Sequence, residues 1–206
     1  MHNYFVTAID TDSGKTLVSA ILCEALQADY WKPIQAGLPR DSDRVNELIS
    51  HDKTFIHPER YLLKTPASPH ASAKIDKIEI QLNDFKLPKT NNNLIVEGAG
   101  GCLVPINDKH FVIDIIKHLS IEVILVADLY LGSINHTLLT VEALNSRSIA
   151  VKGIIFNGES NPESERIILQ HSQLTQLLRI DRENKVDKEV VSRYASSLRK
   201  KLNEIA

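Results

Sequence analysis

Residues Thr7-Ala-Ile-Asp-Thr-Asp-Ser-Gly-Lys-Thr16 join an apolar run, Tyr4–Ile9, directly to a helical pattern, Thr16–Ala28. A strand, a tight loop and a helix N-terminus in that order form a phosphate-binding junction. Gly14 lets the backbone approach phosphate oxygens, and the amides of the helix start, Leu17 included, favour an anion together with the helix dipole. Lys15 brings a charge to β- and γ-phosphates, and the Thr16 hydroxyl is a ligand for Mg²⁺. Asp12 and Ser13 complete the tip of the loop. The loop departs from the standard pattern, because Ile9 occupies the position five before Gly14 and no glycine stands at Ala8 either. A capped helix start is the plainer alternative for Gly-Lys-Thr. The strand–loop–helix context favours nucleotide.

Short apolar runs alternate with helical patterns along the rest of the chain. Tyr30–Lys32, Asn93–Glu97, Glu122–Ala127 and Val151–Phe156 read as strands. Asp41–Ser50, Ile78–Phe85, Phe111–Leu119, Asn135–Asn145, Pro162–Gln170 and Lys188–Glu204 read as helices. Continuous apolar strands such as Val123-Ile-Leu-Val126 suit a parallel sheet, which is covered by helices on both faces. The alternation predicts an α/β fold: one doubly wound domain over residues 1–206, mainly parallel, P-loop NTPase-like. Its ligands belong at the carboxyl ends of the strands. A chain of 206 residues suffices for one full core and is short for two.

Composition narrows the function classes. The net charge of -2 offers no basic field for nucleic acid or anionic membrane, so neither is expected as a partner. Cys23 and Cys102 are too few for a disulfide framework and read as buried thiols. No basic and apolar leader follows Met1, and the apolar runs are far below bilayer length, so a cytoplasmic location is expected. His70 and His136 have no partners at metal-ligand spacing and read as structural.

A second chemical requirement appears at Leu94-Ile-Val-Glu97, which Gly98-Ala-Gly-Gly101 follows. A carboxylate at the end of a buried strand helps hold Mg²⁺ beside a phosphate loop. Small residues such as Gly98 and Gly100 keep side chains out of the space that phosphates and metal need. A tight turn with an incidental glutamate is the alternative.

Taken in order, these segments resemble the dethiobiotin synthetases. The resemblance rests on Thr7–Thr16, Lys32-Pro-Ile-Gln-Ala-Gly37, Ser42-Asp43, Thr65-Pro-Ala-Ser-Pro-His-Ala-Ser-Ala73, and Val96-Glu-Gly-Ala-Gly-Gly101 followed by Pro105. Leu131-Gly-Ser-Ile-Asn-His136 and Phe156-Asn157 complete it. It implies that diaminopelargonic acid (7,8-diaminononanoate) reacts with CO₂, that ATP phosphorylates the carbamate, and that the neighbouring amine closes the ring. The implied metal ligands are Thr16, Asp43 and Glu97. Lys32 would act on the carbamate, Lys15 on the triphosphate, and Thr11 on the amine or carbamate. Leu131, Gly132, Ser133 and Asn135 would bind the distal carboxylate across a homodimer interface, and Asn157 the adenine.

Some positions depart from the family pattern. Ala8 replaces a glycine, Ala36 a frequent hydroxyl residue on the carbamate side, and Tyr130 a frequent lysine. The family's Gly-x-Ile-Pro segment near adenine is missing, and Leu177-Leu-Arg-Ile-Asp181 is its nearest remnant. Two readings outside the synthetase class stand beside this one. A switch ATPase would carry a lysine five residues before Lys15, where this chain has Asp10. A degenerate nucleotide binder would account for Ala8, Ala36 and Tyr130, but Lys15, Thr16, Lys32, Asp43 and Glu97 are all in place.

Overall fold

Strand β1 (Asn3–Ala8) shows how the sheet is sandwiched, because its side chains alternate between two separate cores. Tyr4, Val6 and Ala8 face the first core, and Phe5 faces the second. Strand β7 (Glu122–Asp128) divides in the same way, with Ile124 and Val126 on one side and Val123, Leu125 and Ala127 on the other. A strand apolar on both faces needs a cover on both, and each face has its own layer of helices.

The computed structural model describes residues 2–205. After β1 come α1 (Lys15–Leu26), β2 (Asp29–Trp31), β3 (Ile34–Ala36), α2 (Asp41–Leu48), β4 (Ile56–His57), β5 (Tyr61–Leu63) and α3 (Pro69–Asp76). The second half holds β6 (Leu94–Gly101), α4 (Val112–Leu119), β7, α5 (Ser133–Asn145), β8 (Val151–Asn157), α6 (Pro162–Ser172), β9 (Gln176–Ile180) and α7 (Lys188–Glu204). Seven strands pair in the order β4-β2-β6-β1-β7-β8-β9, and every pairing is parallel. A small parallel pair, β3 with β5, stands apart from this sheet. Helices α1, α2 and α7 cover one face, through Ile21, Val45 and Leu198 among others. Helices α3 to α6 cover the other through residues such as Ala73, Ile116, Leu144 and Ile168. The doubly wound architecture expected from strand–helix alternation is the one observed.

Local differences have physical causes. Residues Ile78–Phe85 do not form the expected helix; only a 3₁₀ turn occurs there, over Leu82–Asp84. The preceding helix α3 is capped by Lys77, whose φ of 56° stops it, and the chain then runs without regular structure to Gln81, with Ile80 and Phe85 buried. Gln81 N donates to Tyr61 Oη (3.1 Å) and Asn107 Nδ2 to Ile80 O (2.8 Å), so tertiary partners satisfy the backbone instead. Helix α3 itself arises in the Pro/Ser/His segment, where Pro69 occupies the first helical turn. Strands β3, β4 and β5 are two or three residues long, too short to carry a periodic signal. The glycine run Gly98–Gly101 is not a turn but the continuation of β6.

Candidate active site

The phosphate loop is held from below by residues far away in sequence. Gly14 has φ 94°, and a Cβ there would lie 2.4 Å from Asn157 Nδ2, so this left-handed, crowded position requires glycine. Asn157, at the end of β8, donates through Nδ2 to Ser13 O at 3.0 Å. The buried Ser13 hydroxyl donates to Asp10 O at 3.2 Å. Lys15 Nζ lies across the loop, donating to Asp10 O (3.0 Å) and Thr11 O (2.8 Å). Burial and then Lys32 lower the Lys15 ammonium to about 8, against the opposing pull of Glu97, Asp41 and Asp10.

Glu97 is the hub of the charged centre. Its Oε1 accepts from Thr16 Oγ1 and from Lys32 Nζ, both at 2.9 Å, and its Oε2 accepts from Tyr30 Oη at 2.9 Å. Lys32 Nζ also donates to Gly98 O at 3.0 Å and pairs with Asp41 Oδ2 at 2.6 Å. Burial opposes the Lys32 charge, but Glu97 and Asp41 outweigh it and raise its pKa. Burial and Glu97 push the Tyr30 phenol well above its usual range, so it stays a donor. The Thr16 hydroxyl and the carboxylates of Asp41 and Glu97 converge around Lys32. A hydroxyl and two carboxylates are hard oxygen donors, the set that suits a small divalent cation bound beside phosphate. No group of three or more His, Cys, Asp or Glu side chains in metal-holding arrangement occurs among the described residues.

These groups open onto one cleft of about 660 Å³. Thr11, Asp12, Gly14, Lys15 and Thr16 form its phosphate side, and Lys32, Asp41 and Glu97 its floor. Opposite them run Gln35–Pro39 and Pro66–Pro69, with Val104, Ala99 and Gly100 closing the side. A phosphate loop and a largely apolar stretch therefore share one cleft with the Lys32–Asp41–Glu97 charge cluster.

A family profile described as an AAA domain matches residues 2–190. The ATP-dependent dethiobiotin synthetase BioD of Cytophaga hutchinsonii is 58% identical, over 96% of this chain and 97% of its own. The protein of the same name from Christiangramia forsetii is 48% identical, over 98% of this chain and 99% of its own. This chain belongs to the ATP-dependent dethiobiotin synthetases. Among solved structures, the synthetase is similar in fold to the septum site-determining protein MinD from Pyrococcus horikoshii, solved with Mg-ADP. That match has TM-score 0.62 and 12% identity, and it covers 99% of this chain and 96% of that one. The cell division ATPase MinD of Pyrococcus furiosus gives TM-score 0.61 at 12% identity, with both chains fully covered.

The synthetase brings together most of the residues singled out from its sequence. Thr11, Asp12, Gly14, Lys15, Thr16, Lys32, Ala36, Glu97 and Gly100 all line the cleft. Gly98 lies under it, where an added Cβ would come 2.8 Å from Phe5. Leu17 points away and packs against the first core. Asp43 stands apart from this cluster, its carboxylate engaged by Arg40 on the surface. Residues two apart on a helix point about 200° apart, so Asp41 and Asp43 cannot share one target. Asp41 takes the inward position.

Leu131, Gly132, Ser133 and Asn135 do not line the cleft of their own chain. Helix α5 starts at Ser133, with Gly132 as its N-cap and no side-chain cap bond, so neither Ser133 nor Asn135 plays the ordinary capping role. Leu131 stands fully exposed ahead of it. Tyr130, in place of the family's lysine, pairs through its hydroxyl with His136 Nδ1 at 2.6 Å. The sequence reading missed Asp41, Tyr30 and Gln35. Tyr30 and Gln35 had only one signal, polar atoms in runs that must be buried, and nothing in the sequence says which partners they meet.

Proposed function

We propose that this synthetase converts 7,8-diaminononanoate, CO₂ and ATP to dethiobiotin, ADP and phosphate through a phosphorylated carbamate. The observation that carries the reading is Lys32, a buried ammonium held between Asp41 and Glu97 and opening onto the cleft of Lys15 and Thr16. Carbamate and triphosphate are both anions, and their encounter needs positive charge where they approach. Lys15 holds the β- and γ-phosphates, with the amides of Gly14 and the α1 start. Lys32 stabilises the carbamate oxygen as it attacks phosphorus, and Thr11 orients the amine or carbamate. Ala36 supplies no hydroxyl, so the carbamate makes one contact fewer on that side than the family pattern allows. Thr16 and Glu97 would hold Mg²⁺ together with Asp43, whose carboxylate is paired with Arg40 in this structure. When bound, Mg²⁺ neutralises phosphate charge and polarises the transferred group.

The second amine then attacks the carbonyl carbon, and phosphate leaves as the ring closes. Asn157 keeps the loop in register and offers its free Oδ1 to the base. The distal carboxylate meets Leu131, Gly132, Ser133 and Asn135 of a partner subunit in a homodimer, which accounts for an exposed Leu131 outside its own cleft. One domain, 1–206, carries the whole reaction in the cytoplasm, without nucleic acid or membrane. No helix among the described residues is long and apolar enough to cross a membrane. A coupled ADP-release assay tests the reading: ADP should appear only when diamine and bicarbonate are both present. ADP formation indifferent to the diamine would point to a plain ATPase.

A further inference from the structure

Ser68 is the N-cap of helix α3, and a serine there ordinarily accepts a hydrogen bond from an amide of the first turn. Its side chain makes no such bond. The Ser68 hydroxyl instead lies 3.1 Å from His70 Nδ1. Ser68 and Pro69 line the cleft that also holds Lys15, Lys32 and Glu97, whereas His70 does not. The wall that carries the pair is firmly held. Pro66 abuts Gly37, where an added Cβ would come 2.7 Å from Pro66 Cβ. The buried Ser72 hydroxyl donates to Thr65 O at 2.8 Å, and Ser72 N donates to Ser68 O at 2.9 Å. His70 N donates to Pro105 O at 3.3 Å, which ties the pair to a second segment. A histidine with no place in a metal site thus backs a hydroxyl that borders the cleft.

We propose that the Ser68–His70 pair takes the proton of the second amine as the ring closes. The inference rests on the carbamate reading above. The amine nitrogen bonds to the carbonyl carbon of the mixed anhydride, and the carbon–oxygen bond to phosphate breaks with its electron pair leaving on phosphate. The nitrogen's proton passes to Ser68 Oγ as the Ser68 hydroxyl proton passes to His70 Nδ1. The imidazolium then returns that proton to solvent. His70 acts here as the tautomer protonated on Nε2, which leaves the Nδ1 lone pair toward Ser68. Imidazole exchanges protons in the neutral range and is the side chain most often used as a general base. The other basic groups of the cleft have prior partners. Asp41 and Glu97 are paired with Lys32, and Lys15 with the loop carbonyls. Asp12 belongs to the loop that receives the triphosphate.

The test follows single turnovers with diamine, bicarbonate and ATP by rapid quench, and reads ADP and dethiobiotin separately. Four proteins are compared: the parent, His70→Asn, Ser68→Ala and the double variant. Asparagine keeps a hydrogen-bonding group beside Ser68 but cannot take up a proton. His70→Asn should slow dethiobiotin formation by about a hundredfold, the scale of a lost general base, while ADP forms within about threefold of the parent rate. With closure slow, the anhydride is lost to water, so dethiobiotin formed per ADP should fall well below the parent's ratio. Slowing of ADP and dethiobiotin together, or a His70→Asn protein that closes the ring like the parent, overturns the proposal. Ser68→Ala should uncouple in the same way, and the double variant should lose no more than about threefold beyond either single change, because both residues serve one proton path. Full additivity overturns the pair. Should His70→Asn not fold, Ser68→Ala carries the same readouts, since it removes only a hydroxyl that caps nothing. A parent that makes ADP without dethiobiotin would instead overturn the reaction beneath the proposal.

Discussion

The hydroxyl of Tyr30 donates to one oxygen of Glu97 at 2.9 Å, and the other oxygen is thereby turned toward Thr16 and Lys32. Tyr30 is fully buried and Glu97 nearly so, which puts the bond out of reach of bulk solvent. Tyr30→Phe removes only the hydroxyl and leaves a buried carboxylate oxygen unpaired. The expected cost is ~1–3 kcal/mol, seen as a lower melting temperature and a higher Mg²⁺ concentration needed for half-maximal turnover. A variant that melts with the parent would show that Glu97 does not rely on this donor.

Lys32→Gln keeps a hydrogen-bonding side chain of similar length and deletes the charge. It should lower kcat/KM for the diamine by ~10²-fold or more, the scale of one lost electrostatic contact in a transition state. ATP affinity without diamine should change little. Because the charge sits between Asp41 and Glu97, its loss also leaves the buried Glu97 carboxylate unpaired beside the partly exposed Asp41, at a cost of roughly 3 kcal/mol. Added Mg²⁺ should recover part of that stability. Collapse of ATP binding with diamine handling intact would move Lys32 to the nucleotide.

Lys15→Ala should abolish phosphoryl transfer with the fold intact, and turnover within about twofold of the parent would contradict the phosphate role. The parent carries a pH signature of the same group. Lys15 sits at about 8, below its ordinary 10.5. As pH rises through about 8 the free protein loses the charge that ATP requires, so ATP affinity should fall by up to about tenfold per pH unit. Calorimetry in buffers of different ionisation enthalpy should register proton uptake on ATP binding near pH 8. Stability runs the other way. A lysine depressed by burial weakens the fold while charged, below about 8, and that penalty is relieved between about 8 and 10.5. A flat ATP affinity across that range would show that Lys15 stays charged without phosphate.

Leu131 is fully exposed, and Ile134 and Leu139 follow it, partly exposed, on α5. Leu131→Glu should shift a dimer at micromolar concentration toward monomer in sedimentation. The KM for the diamine should rise on the order of tenfold, equivalent to ~1.4 kcal/mol of lost contact. An active parent that sediments only as monomer would remove the shared site.

Much of the centre was legible because it lies where strands end. Gly14-Lys15-Thr16 follows β1, Lys32 follows β2, and Glu97 stands within β6, and these three strands are neighbours in the sheet. Parallel strands bring their carboxyl ends to one rim, so residues at those ends meet without further information. The choice between Asp41 and Asp43 was not legible. Both are acidic residues in the first turn of α2, and only the helix's rotation about its axis, with Ser42 and Val45 buried, turns Asp41 toward Lys32.

By itself the sequence determined the alternation of strand and helix, the two-faced apolar strands and the order of the phosphate loop, because these depend on neighbours one to four residues apart. Only the tertiary structure decided what depends on long-range partners. Asn157 under Ser13 is one case, and Tyr30 on Glu97 another. The irregular path of Ile78–Gln81, held by Tyr61 and Asn107, is a third. A buried polar group must find a partner, but which partner is settled by the packing of elements distant in the chain, and no local pattern records it.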